Sequence, residues 1–147
     1  WAAQLNSLTP EEIQAVLRHA SPEVWINLAL PRDATLYLLG DSTPLYIDRR
    51  VAYHTTWDNS LIGGAIRGSP LNPQAWTDRL LASGISHVLL NSSELDRLER
   101  SGWLDIDVSS ARATMWLERT AERVMAWPEQ ARTLYRLIPS PPTGADQ

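Results

Sequence analysis

Cysteine, lysine and phenylalanine are all absent from the 147 residues. Without cysteine the chain has no disulfide, no thiolate metal ligand and no cysteine nucleophile. Without lysine it has no P-loop lysine, no Schiff-base amine and no lysine general base, so all 13 basic residues are arginines. These absences exclude several enzyme classes before any motif is considered.

Long apolar runs and excess positive charge are also missing. No stretch approaches the roughly 18 apolar residues that span a bilayer, and no charged-then-apolar signal peptide is present. The net charge of -4 argues against a nucleic-acid partner. The chain begins at Trp1 and its first methionine is Met115, which leads us to expect a piece of a longer polypeptide.

The composition that is present indicates a folded domain, with 44% hydrophobic and 20% charged residues. We predict one α/β domain over residues 1–138, in which 1–20 form a helical lead-in. Residues 139–147 are proline-rich and polar, which is typical of a disordered tail.

Capping signals predict the helices. Thr9-Pro10-Glu11-Glu12 starts the first one with a capping box, and Ser21-Pro22-Glu23 starts a second that buries Val24, Trp25 and Leu28. Further helices are predicted to begin at Asp58–Ser60, Asn72-Pro73, Asn91–Glu94 and Ser109-Ser110.

Short apolar segments predict the strands. They are Thr35–Leu39, Arg50–His54, Ser86–Leu90, Arg123–Trp127 and Thr133–Ile138. Because apolar strands alternate with amphipathic helices, we expect a three-layer α/β/α sandwich. Its sheet is mostly parallel and ends in an antiparallel C-terminal hairpin.

Familiar catalytic motifs are weak or missing. Gly40–Pro44 lacks the later glycines of a dinucleotide fingerprint, and no Gly-x-Ser-x-Gly elbow occurs. Asp105 and Asp107 lie two residues apart, but we interpret their segment as a solvated loop rather than a glycosidase acid pair. His54, Asp58 and Asp41 are too few converging ligands for a metal site. We therefore predict neither a metal nor a cofactor.

The carboxyl ends of the parallel strands are the predicted ligand site, since open α/β sheets bind ligands there. Asp41 follows the first strand, His54, Trp57 and Asp58 follow the second, and Asn91 follows the third. An aromatic ring, acceptors and an imidazole suit a sugar or another polyol. The alternative is structural, because Asp58 and Asn91 are good helix caps and Trp57 suits a core.

Five segments resemble a known family: Trp25-Ile-Asn-Leu-Ala-Leu-Pro-Arg-Asp-Ala34, Leu36-Tyr-Leu-Leu-Gly-Asp41, Leu45-Tyr-Ile-Asp-Arg-Arg-Val-Ala-Tyr53, Leu80-Leu-Ala-Ser-Gly-Ile-Ser-His-Val-Leu-Leu-Asn91 and Leu98-Glu-Arg-Ser-Gly-Trp103. With a closing Leu134-Tyr-Arg-Leu137, they are similar to the C-terminal soluble domain of multi-spanning membrane glycosyltransferases. These are of the dolichyl-phosphate-mannose–protein mannosyltransferase type and its bacterial relatives.

The resemblance implies an extracytoplasmic accessory domain, periplasmic in a bacterium, attached to the membrane-embedded part of the same polypeptide. In that family the catalytic acids lie between membrane helices, so no catalytic residue transfers and we expect no catalysis by this chain alone. Its implied role is to hold an acceptor, a partner, a glycan or a lipid-linked sugar. The alternative is a small stand-alone α/β enzyme or ligand-binding protein that uses the strand ends.

Overall fold

The computed structural model describes residues 7–41, 44–53 and 60–141. The helices in these ranges are α1 (Pro10–Arg18), α2 (Pro22–Ala29), α3 (Leu61–Gly68), α4 (Pro73–Ala82), α5 (Ser92–Ser101) and α6 (Ser110–Thr120). The strands are β1 (Thr35–Leu39), β2 (Arg50–Ala52), β3 (His87–Asn91), β4 (Ala121–Trp127) and β5 (Arg132–Leu137). None of these helices is long and apolar enough to cross a membrane.

The helices begin at side-chain caps. At α1 the Glu12 amide donates to the Thr9 hydroxyl at 3.2 Å and the Thr9 amide donates to the Glu12 carboxylate at 2.7 Å, which confirms the predicted capping box. Each later helix starts where one side-chain oxygen accepts an amide, at Ser21, Ser60, Asn72, Asn91 and Ser109. Within the predicted Asp58–Ser60 cap, Ser60 caps α3, while Asp58 lies outside the described residues.

The five strands form one sheet in the order β2-β1-β3-β5-β4. Strand β1 runs parallel to β2 and β3, whereas β5 is antiparallel to both β3 and β4. The predicted α/β fold with an antiparallel C-terminal hairpin is therefore confirmed. The second strand is shorter than predicted, since it ends at Ala52 and His54 lies outside the described residues.

Both faces of β1 are buried, and its alternate residues enter two separate cores. Tyr37 and Leu39 belong to the larger core, which also contains buried residues of α3, α4, α5 and α6. Leu36 and Leu38 belong to the smaller core, with Ile26 of α2. Side chains alternate across a strand, so β1 contributes to a core on each face of the sheet. Helices α3 to α6 pack on one face and α2 packs on the other, which gives the fold three layers.

Two of the three tryptophans that lie in the described helices, Trp76 and Trp116, occupy the larger core. Trp76 and Trp116 are 1% and 0% exposed, and their ring centroids lie 6.4 Å apart. The indole N–H of Trp116 donates to the Thr77 hydroxyl at 2.8 Å, so its polar atom is satisfied inside the larger core. Trp25 is only half-buried and packs edge-on against Trp127 at 6.0 Å.

The predicted inner face of α2 differs from the observed one. Pro22 and Ile26 are the buried residues, whereas Val24, Trp25 and Leu28 are half-buried. Pro22 and Ile26 are four positions apart, so they lie on the same face of the helix. Of the three predicted residues, Trp25 packs against the smaller core.

The start of the predicted tail makes contacts with α4. The Ser140 hydroxyl donates to the Asp78 carboxylate at 2.6 Å, and the Gln74 amide donates to the Ile138 carbonyl at 3.0 Å. Residues 142–147 lie outside the described residues, so the disorder expected over 139–147 stays a prediction.

Gly40 combines a left-handed backbone conformation with a close approach of a neighbouring backbone atom. Its φ is +89°, and a Cβ there would lie 2.5 Å from the Asn91 carbonyl oxygen. Gly84 has nearly the same φ, +87°, but open space around its Cβ position. Both Ala variants therefore carry left-handed strain of about 1–2 kcal/mol, and Gly40→Ala alone adds a clash.

We expect Gly40→Ala to unfold at lower denaturant than Gly84→Ala, by roughly 1–3 kcal/mol in the free energy of unfolding. Chemical denaturation of the two variants and the parent chain measures this difference. Equal losses for the two variants would show that the close approach to Asn91 contributes nothing.

Candidate functional site

Asp41 and Asn91 are the two predicted site residues that the structure describes, and both lie at the carboxyl edge of the parallel strands. Asp41 follows β1 after Gly40, and Asn91 ends β3. Their backbones meet where Gly40 lies against the Asn91 carbonyl. His54, Trp57 and Asp58 lie outside the described residues, so the rest of the predicted set stays a prediction.

Asn91 acts as the helix cap that the structural alternative predicted. Its side-chain oxygen accepts the Glu94 amide at 3.2 Å and the Ser93 hydroxyl at 3.2 Å. The Asn91 side chain therefore serves the start of α5, and the described contacts do not join it to the Asp41 carboxylate.

Arg132 is the residue at this edge that sequence reasoning missed. Its Nη1 donates to Glu23 Oε1 at 2.6 Å, and its Nη2 is bonded to Asp41 Oδ2. The side chains of Arg132, Asp41 and Glu23 are only 14%, 12% and 21% exposed. One guanidinium thus connects α2, the end of β1 and the start of β5.

The electrostatics of this network favour the ion pairs. Burial by itself lowers the pKa of Arg132, but the bonds to Glu23 and Asp41 outweigh it and raise that pKa. The three groups together carry a formal charge of -1. Nearby, the hydrogen bond from Arg97 lowers the pKa of Glu94. The negative charge of Asp41 has a weaker, opposite effect on the same pKa. Negative charge therefore collects at this edge of the sheet.

A cavity of about 290 Å³ adjoins the network on the α2 side. Its lining comprises Ser21, Glu23, Val24, Asn27 and Tyr46. Asn27 fixes the opposite wall, because its side-chain N–H donates to the Tyr46 carbonyl at 2.8 Å and its oxygen accepts the Asp48 amide at 2.6 Å. Glu23 thus belongs both to the ion-pair network and to the cavity.

A second cavity, of about 510 Å³, lies at the opposite edge of the sheet, where β1 and β2 begin. Arg49 in its wall donates to the carbonyls of Asn27, Leu30 and Pro31 at 3.1, 2.8 and 3.0 Å. Burial and the neighbouring Arg32 lower the pKa of Arg49. Its guanidinium is occupied by the end of α2, which makes it a structural residue.

The interpretation of the segment around Asp105 and Asp107 as a solvated loop was wrong for Asp105. Its side chain is only 12% exposed, accepts the Ser60 hydroxyl at 2.8 Å and pairs with Arg67 at 3.3 Å. Asp107 pairs with the same guanidinium at 2.7 Å, so the two carboxylates do share a side. The loop packs closely because Gly63 leaves room: a Cβ there would collide with the Asp105 carboxylate.

These contacts do not suit Asp105 to general acid catalysis. Burial raises the pKa of Asp105, but the bonds from Ser60, Asp107 and Arg67 outweigh it and lower that pKa. A general acid needs the opposite shift. Among residues 7–41, 44–53 and 60–141 no group of three or more acidic or histidine side chains is placed to hold a metal ion.

Arg132→Met is expected to destabilise the fold by about 3–5 kcal/mol, because it leaves Glu23 and Asp41 poorly solvated and without their cation. Arg136→Met is the matched control on the same strand, since Arg136 pairs with Glu122 while both side chains are more than half exposed. We expect that control to cost less than about 1 kcal/mol. Denaturant titration of both variants is the measurement, and similar costs would contradict the importance of the network.

Asp105→Asn is expected to reduce stability most at pH values above about 4, by roughly 1–3 kcal/mol. The folded state lowers the pKa of Asp105 from 3.8, so the ionised carboxylate stabilises the fold above that value and loses this effect as pH falls through the lowered pKa. The difference between the parent and Asp105→Asn should therefore shrink toward pH 2.

Thermal or chemical unfolding from about pH 2 to 7 tests this dependence. Asp96→Asn is the control, because Asp96 is exposed and makes no described hydrogen bond. A parent-to-Asp105→Asn difference that stays constant with pH would refute the assignment.

Comparison of the chain with protein-family models, with curated proteins and with solved structures found no match. The described residues place the Arg132 network at the carboxyl edge of the sheet, and Glu23 of that network also lines the cavity beside α2.

Proposed function

We propose that the chain is a non-catalytic extracytoplasmic accessory domain of a membrane-embedded glycosyltransferase-like protein. In this proposal it holds an acceptor or partner beside the membrane-embedded part of the same polypeptide. The family in this proposal is taken from the resemblance to the protein mannosyltransferase type and its bacterial relatives. The contacts among the resembling segments are the observation offered in its support.

The segments that carry the resemblance hold one another in place. Asn27, in the first segment, bonds to the backbone of Tyr46 and Asp48 in the third. Arg49, also in the third, donates to the carbonyls of Asn27, Leu30 and Pro31 in the first. The first and third segments therefore belong to one packing unit of this chain.

The second segment and the closing one both contact the fourth. Gly40 of the second segment lies against Asn91 of the fourth, and the closing Leu134–Leu137 is part of β5, which pairs with β3. The resembling residues described here therefore form caps, turns and strand pairs.

The ligand-binding alternative has its own supporting observation. Glu23, Asp41 and Arg132 lie mostly buried at the edge where open α/β sheets bind ligands, and Glu23 also lines the cavity beside α2. A binding role for this edge is compatible with the accessory domain, since holding an acceptor requires a binding surface.

Membrane topology tests the proposal. The chain has no cysteine, so a single Leu71→Cys substitution introduces one thiol in this domain at a side chain that is 97% exposed. In intact cells that express the full-length protein, we expect a membrane-impermeant maleimide to label this thiol without permeabilisation. The same full-length protein without the substitution sets the background.

Val88→Cys provides the second control, because its side chain is 0% exposed and should resist labelling in the folded protein. Labelling of Leu71→Cys only after the cytoplasmic membrane has been permeabilised would refute the extracytoplasmic placement.

A further inference from the structure

The cavity beside α2 has walls that are held in position before any ligand arrives. Ser21, Glu23, Val24 and Asn27 come from α2 and its cap, and Tyr46 comes from the turn opposite. Asn27 bonds that turn at two places, to the Tyr46 carbonyl and the Asp48 amide. Arg132 fixes Glu23 from the other side at 2.6 Å. A preformed cavity avoids part of the ordering cost of binding.

Hydrogen-bonding capacity remains on several walls. The Ser21 oxygen accepts the Val24 amide at 3.4 Å, and its hydroxyl proton is not donated to any described group. Glu23 Oε2 accepts no hydrogen bond from a described residue, since Arg132 uses Oε1. Asn27 keeps one N–H and one lone pair beyond its two bonds. The cavity therefore offers both donors and acceptors.

Tyr46 adds an aromatic surface to these polar groups. Its side chain is 78% exposed although its backbone is held by Asn27, so the ring is presented rather than packed. Val24 supplies the other apolar lining. Binding sites for small ligands combine such apolar and aromatic surface with a few placed polar groups.

The charges select the class of ligand. Glu23 repels anions, and its pairing with Arg132 diminishes its attraction for a free cation. An uncharged ring that bears several hydroxyls can donate to Glu23, exchange hydrogen bonds with Asn27 and Ser21, and lay an apolar face on Tyr46. The combination matches a neutral saccharide.

We infer that the cavity lined by Ser21, Glu23, Val24, Asn27 and Tyr46 is a binding site for a neutral sugar ring, with Tyr46 as its stacking surface. This inference deepens the proposed function and rests on it for the choice of sugars as probes. It places the binding residues on α2 and the turn at 44–47, next to the Arg132 network rather than on the strand ends themselves.

Titration of the 147-residue chain with methyl α-mannoside, methyl α-glucoside and methyl α-galactoside, followed by amide chemical shifts in NMR, tests the inference. We expect at least one glycoside to shift the amides of residues 21, 23–27 and 45–48 saturably. A dissociation constant on the order of 1 mM is expected for a few polar contacts in an open cavity. Glycerol, which has hydroxyls but no ring, should not bind at this site.

Tyr46→Ala and Leu45→Ala form the matched pair, because the two side chains are adjacent and 78% and 80% exposed, and only Tyr46 lines the cavity. Tyr46→Ala should weaken binding about tenfold, Tyr46→Phe should keep it within about threefold, and Leu45→Ala should leave it unchanged. The spectrum of each unliganded variant confirms that it is folded.

Three results would overturn the inference: no saturable shift with any glycoside up to about 50 mM, equal shifts with glycerol, or equal losses in Tyr46→Ala and Leu45→Ala. None of them bears on the thiol labelling of Leu71→Cys, which reports only the side of the membrane. Failure of the sugar site and failure of the proposed function are therefore distinguishable.

Discussion

The ion pairs of Arg132 are the interaction on which the arrangement of the candidate site depends. They are possible because β5 runs antiparallel to β3, so that β5 begins at the edge where β1 and β3 end. The first side chain of β5 thereby meets the residue that follows β1, and α2 brings Glu23 to the same point. Removing Arg132 would leave the partly buried carboxylates of Glu23 and Asp41 without this cation.

Local signals predicted most of the fold. The capping box at Thr9, the caps at Asn72, Asn91 and Ser109, and the hairpin around Pro128 are each encoded within a few residues, and the structure confirms them. The carboxyl edge was predictable as a location because strand direction follows from the alternation of strands and helices. Asp41 and Asn91 both lie there.

The partners at that edge were not predictable from spacing. Arg132 is separated by 91 residues from Asp41 and by 109 from Glu23, and no local pattern marks an arginine at the start of a strand as their cation. Asp105 was interpreted as solvated for a related reason. Its burial depends on Gly63, 42 positions earlier, where a Cβ would collide with the Asp105 carboxylate.

The two ends of α2 are secured by contacts of very different range, and this difference bears on the order of folding. Arg49 binds the carbonyls at the C-terminal end across 18 to 22 residues, whereas Arg132 binds Glu23 near the N-terminal end across 109. Closing a short loop costs less entropy than closing a long one. The hydrogen bonds of Arg49 can therefore form while the chain is still largely unfolded. The ion pair between Arg132 and Glu23 requires β5 to join the sheet first. We therefore expect the charged network beside the cavity to form after the contacts of Arg49.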